Sequence, residues 1–384
     1  MEKRSKKILW GITVVFFIPI LMLLAWALFP KTKLVVAIID KTMPNQTGQE
    51  HVSLHWVLNH EKLTKTSRLP YEVSRDYFGF FPKGQDKYQI KGLERFNQGQ
   101  LNQLSADADA VYFTDTYGTY EDDWHSKTPA TSSNSLIYGG LSNQDISLLE
   151  LMKKKHKLII TEYNTIGSPT NSENRAKFEK LFGLHWTGWT ARYFNSLDTL
   201  VNKELPKWLI KNYQSTHHKA WKFSQSGIAF VNDGGAVVIL EDHVHLSQSV
   251  PHIETSTEGQ KKYGVPQRIS YPFWFDVMAP DTTVNKVVST FNISTNKEGV
   301  RELNKFGIPN TFPAVLSHQG NDYRFYYFSG DFCDNPISIT SSYFKGISWF
   351  SFLFYDTSDT MDRKNFFWNF YRPMLTEILT SQEQ

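Results

Sequence analysis

The chain has 384 residues, 40% of them hydrophobic and 21% charged, which excludes a disordered protein and leaves room for two domains or one large one. A single cysteine excludes an intrachain disulfide framework and any Cys₄ or Cys₂His₂ zinc site. The formal net charge of +3 is too small for a nucleic-acid surface, so no nucleic-acid partner is expected.

Six basic residues (Lys3, Arg4, Lys6, Lys7, Lys31 and Lys33) stand against one acid, Glu2, in the first 33 positions, so the rest of the chain is slightly acidic. No charge occurs from Ile8 to Phe29, an apolar run long enough to cross a bilayer as a helix. Trp10 and Trp26 lie near its ends, where indoles favour the interface, and four basic residues precede it. These features predict a cytoplasmic tail over 1–7 and an uncleaved single-pass transmembrane helix over 8–29. Membrane lipid is then the first partner. The protein is expected in the cytoplasmic membrane, with its N-terminus cytoplasmic and its main domain periplasmic or extracellular.

After the span, Lys33–Asp40 reads as a buried parallel strand ending in an acid, and residues 49–63 follow with a helical pattern. Residues 71–92 read as loop with short strands, and Leu101–Leu104 as part of a helix. Ala108–Asp115 is a second strand ending in an acid, and a polar loop fills 116–135. Ser142 or Asn143 should cap a helix ending at Lys153–Lys155, Lys157–Glu162 is a third strand, and Asn171 or Ser172 caps a helix stopped by Gly183. Alternating strands and helices imply an α/β protein with a mostly parallel sheet and flanking helices. Ala236–Glu241 is one more buried strand. Beyond it, Val284–Ser294 and Arg324–Phe328 look antiparallel, and a closing helix spans Met361–Leu379, with a bend or break expected at Pro373. The domain reading is an α/β domain over 34–245 and a β-rich C-terminal elaboration over 246–384 packed on the same body.

In open α/β sheets ligands meet the carboxyl ends of the parallel strands, where this reading places Asp40, Asp115, Glu162 and Glu241. The plain alternative is that these acids hold loops. The catalytic candidates are Glu162, Asp115 and Asp331, the last in the Gly-Asp segment after RFYYFS. Asp40, Glu162, Asn164, Trp124 and Trp274 are the binding candidates, because tryptophan planes can stack on sugar rings beside polar strand ends. Asp242, His243 and His245 form the metal candidate, since two histidines alternating along an extended chain point the same way. The turn after Glu162 lacks the G-x-S-x-G needed for a nucleophilic Ser168, and Cys333, flanked by Asp331 and Asp334, reads as an inert thiol. No cofactor is implied.

The segments VVAIID at 35–40, DAVYFTD at 109–115, YGGLSNQDISLLELMKKKHKLIITEYN at 138–164 and AVVILED at 236–242 resemble the class I glutamine amidotransferase-like fold, as found in membrane-anchored bacterial proteins of unassigned activity. Active members carry a cysteine at the strand-to-helix elbow and a later His-x-Glu pair. Here Tyr163, Asn164 and Thr165 follow the strand, so the resemblance implies the fold and argues against glutaminase chemistry. The expectation is a membrane-anchored cell-envelope protein with a catalytically degenerate α/β domain that binds a glycan or an envelope protein partner. The alternatives are an exported, metal-assisted hydrolase of glycan or peptide bonds, and a structural subunit of a membrane complex.

Overall fold

The computed structural model describes residues 17–43, 45–84, 87–124 and 135–381, without the side chains at 122 and 123. Strands are β1 (Val36–Asp40), β2 (Phe78–Gly84), β3 (Lys87–Ile90), β4 (Ala110–Asp115), β5 (Leu158–Glu162), β6 (Leu184–Phe194), β7 (Gly227–Asn232) and β8 (Val237–Glu241). The C-terminal half adds β9 (His252–Thr255), β10 (Arg268–Ser270), β11 (Phe275–Pro280), β12 (Lys286–Asn292), β13 (Thr311–Gln319) and β14 (Arg324–Phe328). The helices used below are α1 (17–28), α2 (Val52–His60), α3 (Gln98–Asp107), α4 (Asn143–Lys154), α5 (Ser172–Phe182), α6 (Lys207–His217) and α7 (Arg372–Thr380).

The large sheet has ten strands in the order β10-β9-β12-β13-β14-β5-β4-β1-β2-β3. Its centre is parallel, from β14 through β5, β4 and β1 to β2. Both flanks are antiparallel, with β3 paired to β2 and a meander of β13, β12, β9 and β10 on the other side. The sheet is therefore mixed, which corrects the expectation of a mostly parallel one. After residue 246 the successive strands β9 and β10, β12 and β13, and β13 and β14 pair in antiparallel, the first two pairs through connections that carry a helix.

A second, four-stranded sheet of order β8-β7-β6-β11 is antiparallel throughout. The strand at Val237–Glu241 belongs here and not beside the parallel strands. It is reached from β7 through Asn232-Asp233-Gly234-Gly235, with Gly235 at φ +81°, a turn that reverses the chain.

The central strands bury both faces by strict alternation. Val36, Ile38, Ala110, Tyr112, Leu158 and Ile160 face α2 and the C-terminal helix, while Ala37, Ile39, Val111, Phe113 and Ile159 face α3, α4 and α5. A smaller cluster packs Leu209 of α6 on Ala229, Val237 and Ile239. The caps fall where hydroxyl and amide side chains allow: Asn97 with Gln100 and Ser142 with Asp145 form capping boxes, Asn171 caps α5, and Gly183 ends it in the left-handed conformation. The closing helix passes through Pro373 unbroken. A π turn at Phe367–Tyr371 precedes α7, whose second residue is Pro373, so the hydrogen-bond ladder changes register next to the proline.

The transmembrane expectation over 8–29 is corrected as well. Among the described residues no helix is long and apolar enough to cross a membrane. Residues 1–16, with the basic tail and the first part of the apolar run, lie outside the described residues. The part of the run that is described is α1. Its C-terminal end is docked on the body. Trp26 Nε1 donates to the Asn59 carbonyl at 2.9 Å, Lys62 Nζ to the Ala27 carbonyl at 2.8 Å, and the Lys345 N–H to the Met22 carbonyl at 3.1 Å. The single-pass, signal-anchor and cytoplasmic-membrane readings fall with the span.

Candidate functional site

Four neighbouring parallel strands, β14, β5, β4 and β1, end on the same side of the sheet. Glu162, Asp115 and Asp40 close the last three, and Asp331 follows β14 by three residues. The three strand-end acids are buried, and each holds backbone. Asp40 Oδ1 accepts the Thr42 N–H at 2.9 Å. Asp115 Oδ1 accepts the Tyr117 N–H at 2.5 Å and the Thr42 hydroxyl at 2.8 Å. Glu162 Oε2 accepts the N–H groups of Phe332 and Cys333, both at 3.1 Å. They form a rigid floor that fixes the loops above it.

His51, just ahead of α2, joins this floor. Its Nδ1 lies 2.5 Å from Asp40 Oδ2 and its Nε2 is 2.9 Å from the Val73 carbonyl. Both ring nitrogens are engaged, so His51 has none left for a metal or a substrate proton.

The rim is built differently. Glu50 and Asp331 are half-buried, whereas Asp334 is 5% exposed. One potential ligand oxygen from each of the three lies within 4.8 Å of the others. Arg363 is the counter-charge: Nη1 sits 2.7 Å from Asp334 Oδ2, and Nη2 lies 3.3 Å from Asp331 Oδ2. Burial and then the charges of Asp334, Asp331, Asp115 and Asp40 hold the Glu50 carboxyl well above the usual carboxylate range. Asp331 is pushed up to about 7 by burial and by Asp334, against the pull of Arg363. Burial followed by Asp331 raises both Asp115 and Glu162, and burial raises Asp40 in spite of His51. The common cause is one desolvated region holding more carboxylates than cations.

The remaining sequence candidates are scattered. Trp274 is beside the rim, its carbonyl accepting the Asp331 N–H at 3.1 Å. Trp124 packs edge-on against Phe80 and Tyr88, with ring centroids at 5.1 and 5.7 Å. Asn164, with φ +61°, takes the left-handed position just past β5; its N–H donates to Asp276 Oδ2 at 3.2 Å and its carbonyl accepts from Thr116. Asp242, His243 and His245 lie past β8 at the end of the other sheet, and Glu241 there accepts the N–H groups of Ser224 and Gln225. The chain does not stay extended at this point: His243 has φ +61° and an exposed side chain, and His245 Nδ1 accepts the Glu241 N–H at 3.0 Å. Cys333 is buried, which pushes its thiol well up, and Tyr371 donates to its sulfur at 3.1 Å.

Glu50 and Arg363 were not among the sequence candidates. Glu50 had one local signal, an acid in the turn leading into α2. Arg363 had none, since it meets the site only through the packing of the C-terminal helix.

No protein-family model matches the chain, and no curated protein matches it. Solved structures that align with it include a ThuA-like protein from Bacteroides uniformis ATCC 8492, at 9% identity and a TM-score of 0.35, over 82% of this chain and 90% of that one. A glutamine amidotransferase from Thermotoga maritima aligns at 10% identity and a TM-score of 0.38, over 91% and 99% of the two chains. A β-galactosidase from Bacillus circulans sp. alkalophilus aligns at 9% identity and a TM-score of 0.36, over 78% of this chain but 30% of its own. The amidotransferase-like resemblance read from the strand segments thus has structural neighbours of that kind. At these scores none of them carries an argument about chemistry.

Proposed function

We propose that this chain is an α/β binding protein for a polyhydroxylated, glycan-type ligand, seated over the rim formed by Glu50, Asp331 and the loop after β4. What supports this reading is the division of labour among the acids. Asp40, Asp115 and Glu162 are engaged with backbone N–H groups and shape the floor, while Glu50 and Asp331 retain solvent access. Carboxylates at a rim accept hydrogen bonds from sugar hydroxyls. Tyr117, 38% exposed and placed two residues after Asp115, lies with its ring 4.9 Å from that of Tyr120, an aromatic pair of the kind that meets the apolar face of a sugar.

The test is titration calorimetry of the full chain against hexasaccharides of glucose, N-acetylglucosamine, glucosamine and mannose, with mass spectrometry of the sugars after overnight incubation. The expected result is saturable binding of at least one sugar, weakened tenfold or more by Asp331→Asn and by Tyr117→Ala, with the oligomer recovered intact. Absence of binding across the panel, or binding indifferent to both substitutions, would remove the proposal. Shortened oligomers would replace it with the hydrolase alternative.

A further inference from the structure

We infer that Glu50, Asp331 and Asp334 form a site for one hard divalent cation of the Mg²⁺ or Ca²⁺ class. This goes beyond the glycan reading and does not depend on it. The three residues come from two distant segments, the turn before α2 and the loop after β14, yet their ligand oxygens all lie within 4.8 Å of one another. Oxygens at that spacing can surround one ion at metal–oxygen distances of about 2.1–2.6 Å.

A second observation points to a ligand. Asp334 is more than nine-tenths buried, and its Oδ1 has no hydrogen-bond partner although Oδ2 is paired with Arg363. A buried carboxylate oxygen without a donor is costly, and a cation held by the three acids would give Asp334 the partner it lacks. Arg363 supplies a single positive charge to Asp331 and Asp334 and orients both; Glu50 makes no ion pair with it. The loop is held independently of any ion: Glu162 fixes its N–H groups, and Asn335 Nδ2 ties it to the Phe332 carbonyl at 2.7 Å and to Ser53 of α2 at 3.2 Å. The site is therefore preformed, and water is expected to complete the coordination shell. An all-oxygen donor set selects against zinc and copper.

The experiment is calorimetric titration of the full, chelator-stripped chain with CaCl₂ and, separately, MgCl₂, with no sugar present. The expected result is one equivalent of at least one ion bound with a dissociation constant on the order of 10⁻⁵–10⁻³ M, weakened tenfold or more by Glu50→Gln. Glu50 lies on a half-buried turn, so this variant should fold; its circular dichroism and unfolding midpoint are recorded as the control. Asp331→Asn provides a second arm. No binding of either ion by the folded wild type overturns the inference, as does binding unchanged in Glu50→Gln and Asp331→Asn. Because no sugar enters the titration, failure here leaves the glycan proposal standing, and the reverse also holds.

Discussion

Two charged clusters flank the end of β1, and they are built on opposite plans. Below the floor, the Lys41 ammonium is fully buried and meets Glu94 and Asp145 at 2.6 Å each and the Gly140 carbonyl at 2.8 Å. Burial works to lower its pKa, and the two carboxylates more than reverse this, so the lysine stays charged. Above the floor, Glu50, Asp331 and Asp334 share one arginine and leave a buried oxygen unpartnered. In the first cluster two carboxylates share one lysine, Asp145 Oδ1 also lacks a partner and Glu94 is 33% exposed; the cluster joins β1 to the N-terminus of α4 and to the 3₁₀ turn Leu93–Arg95. The second sets three carboxylates against one arginine, so its excess of negative charge is larger, in a region that is also largely desolvated. Charge closer to balance around a buried lysine is what a fold uses to fix geometry, whereas a larger excess of one sign at the strand ends is what a fold retains to meet a counter-charge.

The largest expected effect tests the lysine cluster. Lys41→Met removes the cation shared by Glu94 and Asp145 and should destabilise the protein by about 3–5 kcal/mol in urea unfolding, because Asp145 is left buried without its counter-charge. A loss under about 1 kcal/mol would mean that the cluster is not structural, and the contrast between the two clusters would collapse.

A carboxyl outside both clusters sharpens the comparison through pH. Asp276 is fully buried, and burial raises it to about 7 against the Tyr327 hydroxyl, the Asn164 N–H, the Thr190 hydroxyl and the more distant Arg175; Tyr163 also faces it. A carboxyl whose pKa is raised on folding keeps its proton longer in the folded state. Its contribution to stability therefore falls as pH rises from about 4 to about 7 and is level above that. Asp276→Asn, which retains an acceptor for Tyr327, should remove that share. Between pH 5 and pH 8 the wild type should lose on the order of 2 kcal/mol more than the variant. Parallel losses in the two proteins would show that Asp276 ionises freely in the folded state.

Much of the floor was legible in the sequence, because a buried parallel strand ending in an acid is a local pattern: VAIID, AVYFTD and LIITE each show it. Asp331 was legible as a residue but not as a neighbour of Glu162. Its place depends on β14 inserting beside β5 in parallel while pairing β13 in antiparallel, a long-range choice that no local period encodes. The same holds for Arg363. The two histidines past β8 were read on the assumption of an extended chain, and the left-handed turn at His243 removes the alternation on which that reading rested. The apolar N-terminal run was read from its length, its lack of charge and its flanking indoles and basic residues, and the described part of it is a helix whose end is tied to α2 and to the 345 region by hydrogen bonds.

The smallest effect is the most diagnostic, because its sign is the reverse of that for Lys41. Glu50→Gln preserves shape and removes one negative charge from a region where Asp334, Asp331, Asp115 and Asp40 all oppose it. In chelator at pH 8 the variant should be more stable than the wild type by about 0.5–1 kcal/mol in urea unfolding, since relief of like-charge crowding outweighs the loss of any single acceptor there. Sites shaped for a ligand commonly sacrifice stability in this way, and substitution of the residue returns it. If Glu50→Gln instead loses 1 kcal/mol or more, its carboxylate makes a stabilising contact within the protein. The rim would then be a second structural cluster, and the physical distinction between floor and rim would no longer mark where a ligand binds.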